Sequence, residues 1–451
     1  MRYSMIDDEM YDLIVIGAGA SGLFSAISAK NNGAEKVLIL EKTDKAGQKL
    51  LLTGDGRCNL SNQEFDLSSY NFYAQMYHKE NTAFLDTAFH SFDPDKTLAF
   101  FNDMGLMVSY RNGYIYPTSY QSRTVLQVLL REAESLGIVI EYNSNVRNIE
   151  HIDDSTDYQV ITHRFKYKSH CVILASGGSS FPKTGSSGDG YYYAKKLGHT
   201  IIKPLPALTG FILEDAIVER LSGIRMMAKV SYRNHSQKVF FNTGEIQFNK
   251  YGISGIPVMN ISGNIIRDMD ENKEQTAVCQ LNFFPYWDED ILSRQIALNM
   301  ADFIEKRPFC LLEELFYGYC NEKLVELILQ SKDFDPKMRL CDFLNRREDK
   351  TKESILQHYS NELERLCDAF LRFDLKLIGY QDFKTCQVTS GGICLDEIEP
   401  ETMESKLNDG LYFAGEIVDV DGACGGYNLQ WAWTSSYLAG RAAAIKLRHS
   451  N

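Results

Sequence analysis

The run YDLIVIGAGASGLFSA, residues 11–26, constrains this chain more than any other. Its opening apolar stretch reads as a buried strand over 11–16, and the small residues after it as a helix over 20–32. Gly17, Gly19 and Gly22 form G-x-G-x-x-G at the junction. The first glycine permits a tight turn, the second lets a pyrophosphate reach the backbone, and the third lets helix and strand pack closely. With Ala20 and Ser21, the helix start offers unpaired N–H groups and the positive end of a dipole. KVLILE (36–41) follows as a second buried strand, and Glu41 ends it 24 residues after Gly17 (41 − 17). A carboxylate there accepts hydrogen bonds from the adenosine ribose hydroxyls and repels a 2′-phosphate. Strand, helix, strand and acid in register predict a dinucleotide site of the Rossmann type.

The next segment, EKTDKAGQKLLLTGDGRCNLSN (41–62), separates FAD from NAD. It is a long polar loop carrying Lys42, Gly47, Lys49, Thr53, Gly54, Gly56, Arg57, Cys58 and Asn59. A simple dehydrogenase has no need of it. A flavin enzyme needs a loop here to cover the diphosphate and ribityl chain, with Lys49 or Arg57 near the phosphate charge. Two further apolar strands end in glycine. CVILASGG (171–178) ends in Ala175, Ser176, Gly177 and Gly178, and GLYFAGE (410–416) ends in Gly415 and Glu416, all expected to edge the cofactor. Asp419 or Asp421 is expected on ribityl hydroxyls. In DGACGGYNLQWAW (421–433), Gly425, Gly426, Tyr427 and Asn428 open a second helix. Its positive end is expected to face the edge of the flavin ring that turns negative on reduction. Trp431 and Trp433 are expected in the core.

Beyond 203 the pattern changes to short alternating segments rich in Val, Phe and Tyr, at 209–213, 226–233, 237–242 and 277–284, as in an antiparallel barrel or sandwich. From 288 to 370 the apolar spacing is helical, and strand texture returns at 372–378 and 386–394. The expected fold class is α/β. A Rossmann-like FAD-binding domain would comprise 1–202 and 386–451, an inserted antiparallel β-barrel 203–287 and 368–385, and a nested helical subdomain 288–367.

Among 451 residues, 44% are hydrophobic and 24% charged, the balance of an ordinary globular protein. A net charge of −13 disfavours RNA as a partner, and the basic segments HRFKYK (163–168) and LNRREDKTK (344–352) are short and mixed. Ten cysteines without a Cys-x-x-Cys pair or zinc spacing predict free thiols in a reducing cytoplasm and no metal. No apolar run is long enough to cross a membrane. Nothing in the sequence sets an oligomeric state.

Several long motifs carry a resemblance to a known family. These are TGDGRCNLSN (53–62), NGYIYPTSYQSRTVLQVL (112–129) and ASGGSSFPKTGSSGDGYYYAKKLGH (175–199). VTSGGICLDEI (388–398), ETMESK (401–406) and GLYFAGEIVDVDGACGGYNLQWAW (410–433) follow in order. Together they resemble the BaiN/YhiN-like flavoproteins of the two-dinucleotide-binding-domain superfamily. Two departures stand out: Ser176 where a Thr is usual, and Asn249-Lys250 in place of a Thr-His in the inserted domain. The resemblance implies bound FAD and the three-part architecture above. It also implies one of three activities: reduction of conjugated double bonds in bile-acid-like steroids, reduction of uridine in ribosomal RNA, or amine oxidation.

The leading expectation is an FAD-dependent oxidoreductase that uses transient NADH or NADPH to reduce an activated C=C bond in a small steroid- or bile-acid-like molecule. Alternatives are a dihydrouridine-forming reductase of ribosomal RNA, a flavin amine oxidase, and a non-catalytic redox-sensing flavoprotein. A dithiol mechanism is disfavoured, and the chain holds a single G-x-G-x-x-G, so the nicotinamide nucleotide would dock at the ring face. No catalytic residue stands out. Tyr427, Cys424 and Lys183 are the candidates, with Cys58 a second thiol of interest.

Overall fold

The computed structural model describes residues 5–73, 82–152, 155–307, 309–344 and 351–450; most of the basic segment at 344–352 lies outside them. The chain divides into two compact units, Met1–Ala207 with Asp382–Asn451, and Leu208–Gln381.

The first unit is built on a parallel sheet. The strands Val139–Glu141, Val37–Leu40, Met5–Ile16, Phe165–Leu174 and Leu411–Phe413 pair in that order, each parallel to the next. Phe165–Leu174 changes partner along its length. Its first half pairs antiparallel with Tyr158–Thr162, which continues to Val146–His151, and Val172 to Leu174 pair with Leu411–Phe413. Leu13, Ile14, Val15, Leu38, Ile39, Val172, Ile173 and Leu174 are fully buried, as runs covered on both faces must be. The strand Ile201–Ala207 pairs with Val388–Ile393 inside this unit, so the division falls after Ala207 rather than at the expected 202.

Two helices lie side by side on this sheet. Ala20–Asn31 follows the first strand, and Tyr427–Ser450 ends the chain. A Cβ on Gly440 would come within 2.2 Å of the Ser25 carbonyl oxygen, and the Ser28 hydroxyl donates to the Tyr437 carbonyl at 2.9 Å. Small residues at both positions let the backbones touch. Trp433 fills the space beside them, its ring 5.2 Å from Phe24 and 5.0 Å from Phe101, with Nε1 donating to the Leu60 carbonyl at 3.0 Å. Both tryptophans are buried.

The second unit holds an antiparallel sheet in the order Phe373–Leu377, Ala277–Asn282, Arg225–Arg233, Val239–Phe248, Gly252–Ser254, Phe211–Ile212, Gly379–Tyr380. The first and last members are separated only by Ile378, whose N–H donates to the Ile212 carbonyl at 3.0 Å. One continuous stretch therefore pairs with both edges and closes the sheet into a barrel. The helices Glu289–Lys306, Glu322–Gln330, Lys352–His358 and Ser360–Leu371 belong to this same compact unit. The departures at Asn249-Lys250 fall in a turn, where Asn249 Oδ1 accepts from the N–H groups of Tyr251 and Gly252.

A helix at Ile256–Asn272 answers to no expected element. Gly263, with Ser262 and Asn264 around it, dilutes its helical propensity. Burial of Val258, Ile261, Ile265, Ile266 and Met269 supplies the stabilisation that local preference lacks.

Replacing Trp433 with Ala removes a fully buried ring and leaves the Leu60 carbonyl without its donor. The expected cost is about 3–5 kcal/mol. It is read as a lowered denaturant midpoint of the purified protein followed by circular dichroism.

Candidate functional site

A cleft in the first unit runs from Glu41 and Lys42 past the glycine turn to Asn428 and Leu429. Each glycine of the N-terminal fingerprint has a separate steric reason. A Cβ on Gly17 would sit 2.8 Å from the Ala175 carbonyl oxygen, and one on Gly22 would sit 1.8 Å from the Gly17 carbonyl oxygen. Gly19 meets nothing within 4 Å and lines the cleft, so its backbone is open to a ligand. Gly19 caps the helix without a side-chain hydrogen bond, and the first turn carries no acid. The helix start thus keeps unpaired N–H groups for an anion.

Glu41 is buried on the cleft wall. Its Oε2 accepts from the Ala18 N–H at 2.8 Å, and its Oε1 from the N–H and hydroxyl of Thr43 at 2.8 and 2.7 Å. Three protein donors occupy a group with roughly four acceptor sites, leaving one for a ribose hydroxyl. Lys42 also lines the cleft and pairs with Asp189 at 2.7 Å.

At the other end, the C-terminal helix presents Asn428, Leu429, Trp431 and Ala432 to the cleft. The Asn428 amide is committed: its Oδ1 accepts from the Gly422 N–H at 2.8 Å, and its Nδ2 donates to the Gly422 carbonyl at 2.6 Å. The backbone N–H groups of this helix start are thereby the groups left for a negative charge. Gly425 and Gly426 hold φ of 120° and 97°, a region that favours glycine. They also pack tightly on their neighbours, since a Cβ would lie 3.0 Å from the Tyr114 ring and 2.6 Å from the Ser61 carbonyl oxygen.

Of the residues expected to hold cofactor, Gly17, Gly19, Ala20, Ser21, Glu41, Lys42, Gly47, Lys49, Thr53, Ala175, Ser176, Gly177, Glu416 and Asn428 line this cleft. Gly22 serves packing. Gly54, Gly56, Arg57, Cys58, Asn59, Gly178, Gly415, Asp419, Gly425, Gly426 and Tyr427 lie outside its lining. Arg57 is exposed, 3.6 Å from Asp55. Asn59 instead accepts from the Ile115 N–H at 3.2 Å, and Asp419 from the Tyr73 N–H at 2.7 Å. Gly415 lets its turn pack on the first helix, where a Cβ would come 2.1 Å from Ser21 Oγ.

None of the candidate catalytic residues lines the cleft. The Tyr427 hydroxyl donates to the Glu64 carbonyl at 2.9 Å, and Lys183 is exposed. Burial pushes the Cys58 thiol up to about 12, although a hydrogen bond from Thr53 works against it. Cys424 is partly exposed, yet burial of its thiol pushes that group up to about 12 as well. Gln48, Ser144, Asn145, Tyr193, Gln387 and Val388 are among the further lining residues that sequence reasoning passed over. Gln48 and Val388 sit inside quoted motifs, whereas Ser144 and Asn145 carry no local signal.

The residues present fit an extended dinucleotide. One unpaired helix start stands at the glycine turn and another at the Asn428 end, one acceptor site is left on Glu41, and the buried Ser176 hydroxyl has no partner among the described residues. Among those residues no group of His, Cys, Asp and Glu is arranged for a metal, and no helix is long and apolar enough to cross a membrane.

A parallel sheet whose first strand–helix turn carries G-x-G-x-x-G on such a cleft defines a protein of the Rossmann dinucleotide-binding class. The family described as HI0933-like protein Rossmann domain matches residues 11–442. The chain belongs to this family, the one its motifs resemble, and is an FAD-dependent oxidoreductase. It is 34% identical over 431 residues to the 3-dehydro-bile acid delta(4,6)-reductase of Clostridium scindens, covering 95% of this chain and 98% of that protein. Ribosomal RNA dihydrouridine synthases are also similar: that of Haemophilus influenzae is 26% identical over 94% of this chain and 96% of its own length. The Escherichia coli one is 25% identical over 95% and 97%.

Thiols held near 12 are almost wholly protonated at pH 8, with roughly one thiolate in ten thousand. Iodoacetamide at pH 8 is therefore expected to alkylate the partly exposed Cys341 well before Cys58 or Cys424, read by peptide mass mapping. Equal labelling of Cys424 would return it to the list of proton donors.

Proposed function

We propose that this enzyme is a reductase that draws a hydride from NADH or NADPH and delivers it to an activated C=C bond in a small steroid- or bile-acid-like substrate. The observation that carries this reading is the 34% identity, over nearly the full length of both chains, to a 3-dehydro-bile acid reductase. FAD, when bound, supplies the hydride chemistry, and the protein supplies position and charge.

On this reading the N–H groups after Gly19 hold the diphosphate, with Ala20 and Ser21 forming the first turn. Glu41 accepts one ribose hydroxyl through its remaining site, and its charge disfavours a 2′-phosphate there. The start of Tyr427–Ser450 places positive dipole charge at the far end of the cleft, where it favours a more negative ligand. A single dinucleotide fingerprint in the sequence supports transient docking of the nicotinamide nucleotide. Ten free cysteines support a reducing, cytoplasmic setting.

Anaerobic addition of NADH or NADPH to the yellow protein is expected to bleach its flavin, and an enone steroid is expected to restore the colour. Failure of both nucleotides to bleach would sink the reductase reading and favour an oxidase. The dihydrouridine synthases among its relatives favour a second reading, reduction of a uridine in ribosomal RNA. Ribosomal RNA from a deletion strain with unaltered dihydrouridine excludes it.

A further inference from the structure

Lys49 and Glu416 are 367 positions apart in sequence and pair on the wall of the cleft. The Glu416 carboxylate is fully engaged by protein donors. Its Oε1 accepts from the Thr389 N–H at 2.8 Å and the Ser180 hydroxyl at 2.9 Å. Its Oε2 accepts from the Lys49 ammonium and, at 3.4 Å, from the Gly178 N–H. A carboxylate offers about four acceptor sites, so none is left for a cofactor hydroxyl.

Lys49 is in the opposite condition. Its ammonium carries three protons, of which one goes to Glu416 and one to Ser180 Oγ. The Ser180 proton in turn goes to Glu416 Oε1 at 2.9 Å in preference to the Gln387 carbonyl at 3.3 Å. The third Lys49 proton has no acceptor among the described residues, and Lys49 lines the cleft. Gly178 makes the arrangement possible, because a Cβ there would lie 2.4 Å from Thr389 Oγ1 and 3.1 Å from the Glu416 carboxyl carbon. Burial pushes the Glu416 carboxyl up, but the Lys49 cation and the hydrogen bonds of Lys49, Thr389 and Ser180 outweigh it and hold it below its ordinary value.

We infer that Lys49 is a fixed side-chain hydrogen-bond donor that this chain presents to bound FAD, and that Glu416 is a positioning residue that orients the ammonium and offsets its charge. The inference rests on the FAD reading above. It separates two residues that sequence motifs place together as cofactor contacts: Lys49 has a donor left for the cofactor, and Glu416 has no acceptor site left for it. The two charges act oppositely on the ease of reduction, since a cation favours the more negative reduced cofactor and an anion opposes it.

The test is a redox titration of the holoenzyme as wild type, Lys49→Met, Lys49→Gln, Lys49→Arg and Glu416→Gln. Lys49→Met and Lys49→Gln are expected to lower the flavin midpoint potential. Glu416→Gln is expected to raise it. Each shift should reach tenfold in the reduced-to-oxidised ratio, about 30 mV for a two-electron couple. Lys49→Arg should stay nearer wild type than either neutral variant. Lys49→Gln keeps a donor without the charge and carries the test if the Met variant does not fold. Midpoints within threefold of wild type in variants that retain FAD, or shifts of the same sign at both positions, overturn the assignment. A wild-type protein that neither contains nor takes up FAD overturns the cofactor reading together with it.

Discussion

Two contacts without intervening side chains hold the first unit in register. Gly22 lies on the Gly17 carbonyl, and Gly440 lies on the Ser25 carbonyl. The first presses the N-terminal helix against the turn it grows from. The second lays the C-terminal helix along it, 400 residues later in the chain. Dispersion and buried apolar area around Phe24, Phe101 and Trp433 then fix the pair. As a consequence, both helix starts open onto one cleft, and an extended ligand lying in it meets a positive dipole at the glycine turn and another at the Asn428 end. A methyl group at either glycine would separate the elements that make the cleft.

Charge in the cleft is arranged locally rather than by net balance. The chain is strongly acidic, yet two of the carboxylates that line the cleft, Glu41 and Glu416, play different parts. Glu41 retains an acceptor site after serving Ala18 and Thr43, whereas Glu416 has none left after serving Lys49, Ser180, Thr389 and Gly178. The same side-chain chemistry leaves a free acceptor site in one case and a saturated brace in the other. What differs is the number of protein donors that folding delivers to each.

The legible parts of the site share a property: their contacts are short in sequence. G-x-G-x-x-G reports its own packing, because Gly22 touches Gly17 within one turn, and the strand and helix around it follow from local apolar patterning. Barrel strands such as Arg225–Arg233 were visible from alternation for the same reason. Ile256–Asn272 was not, because burial overrides its modest propensity. Residue type alone does not tell which polar atoms the protein itself engages. Asn428 and Asp419 look like cofactor ligands by type, yet their polar atoms bind Gly422 and Tyr73. Ser144 and Asn145 reach the cleft from a segment without any motif.

By itself the sequence pointed to a dinucleotide site at the first strand–helix turn, and its spaced motifs marked the flavoprotein family. Both rest on backbone requirements that only glycine and a strand-end acid satisfy, and such requirements are written locally. Tertiary structure alone decided which polar groups remain free to act. A hydrogen-bonding group is available only after its other partners are counted, and those partners come from segments hundreds of residues away, as Glu416 comes to Lys49.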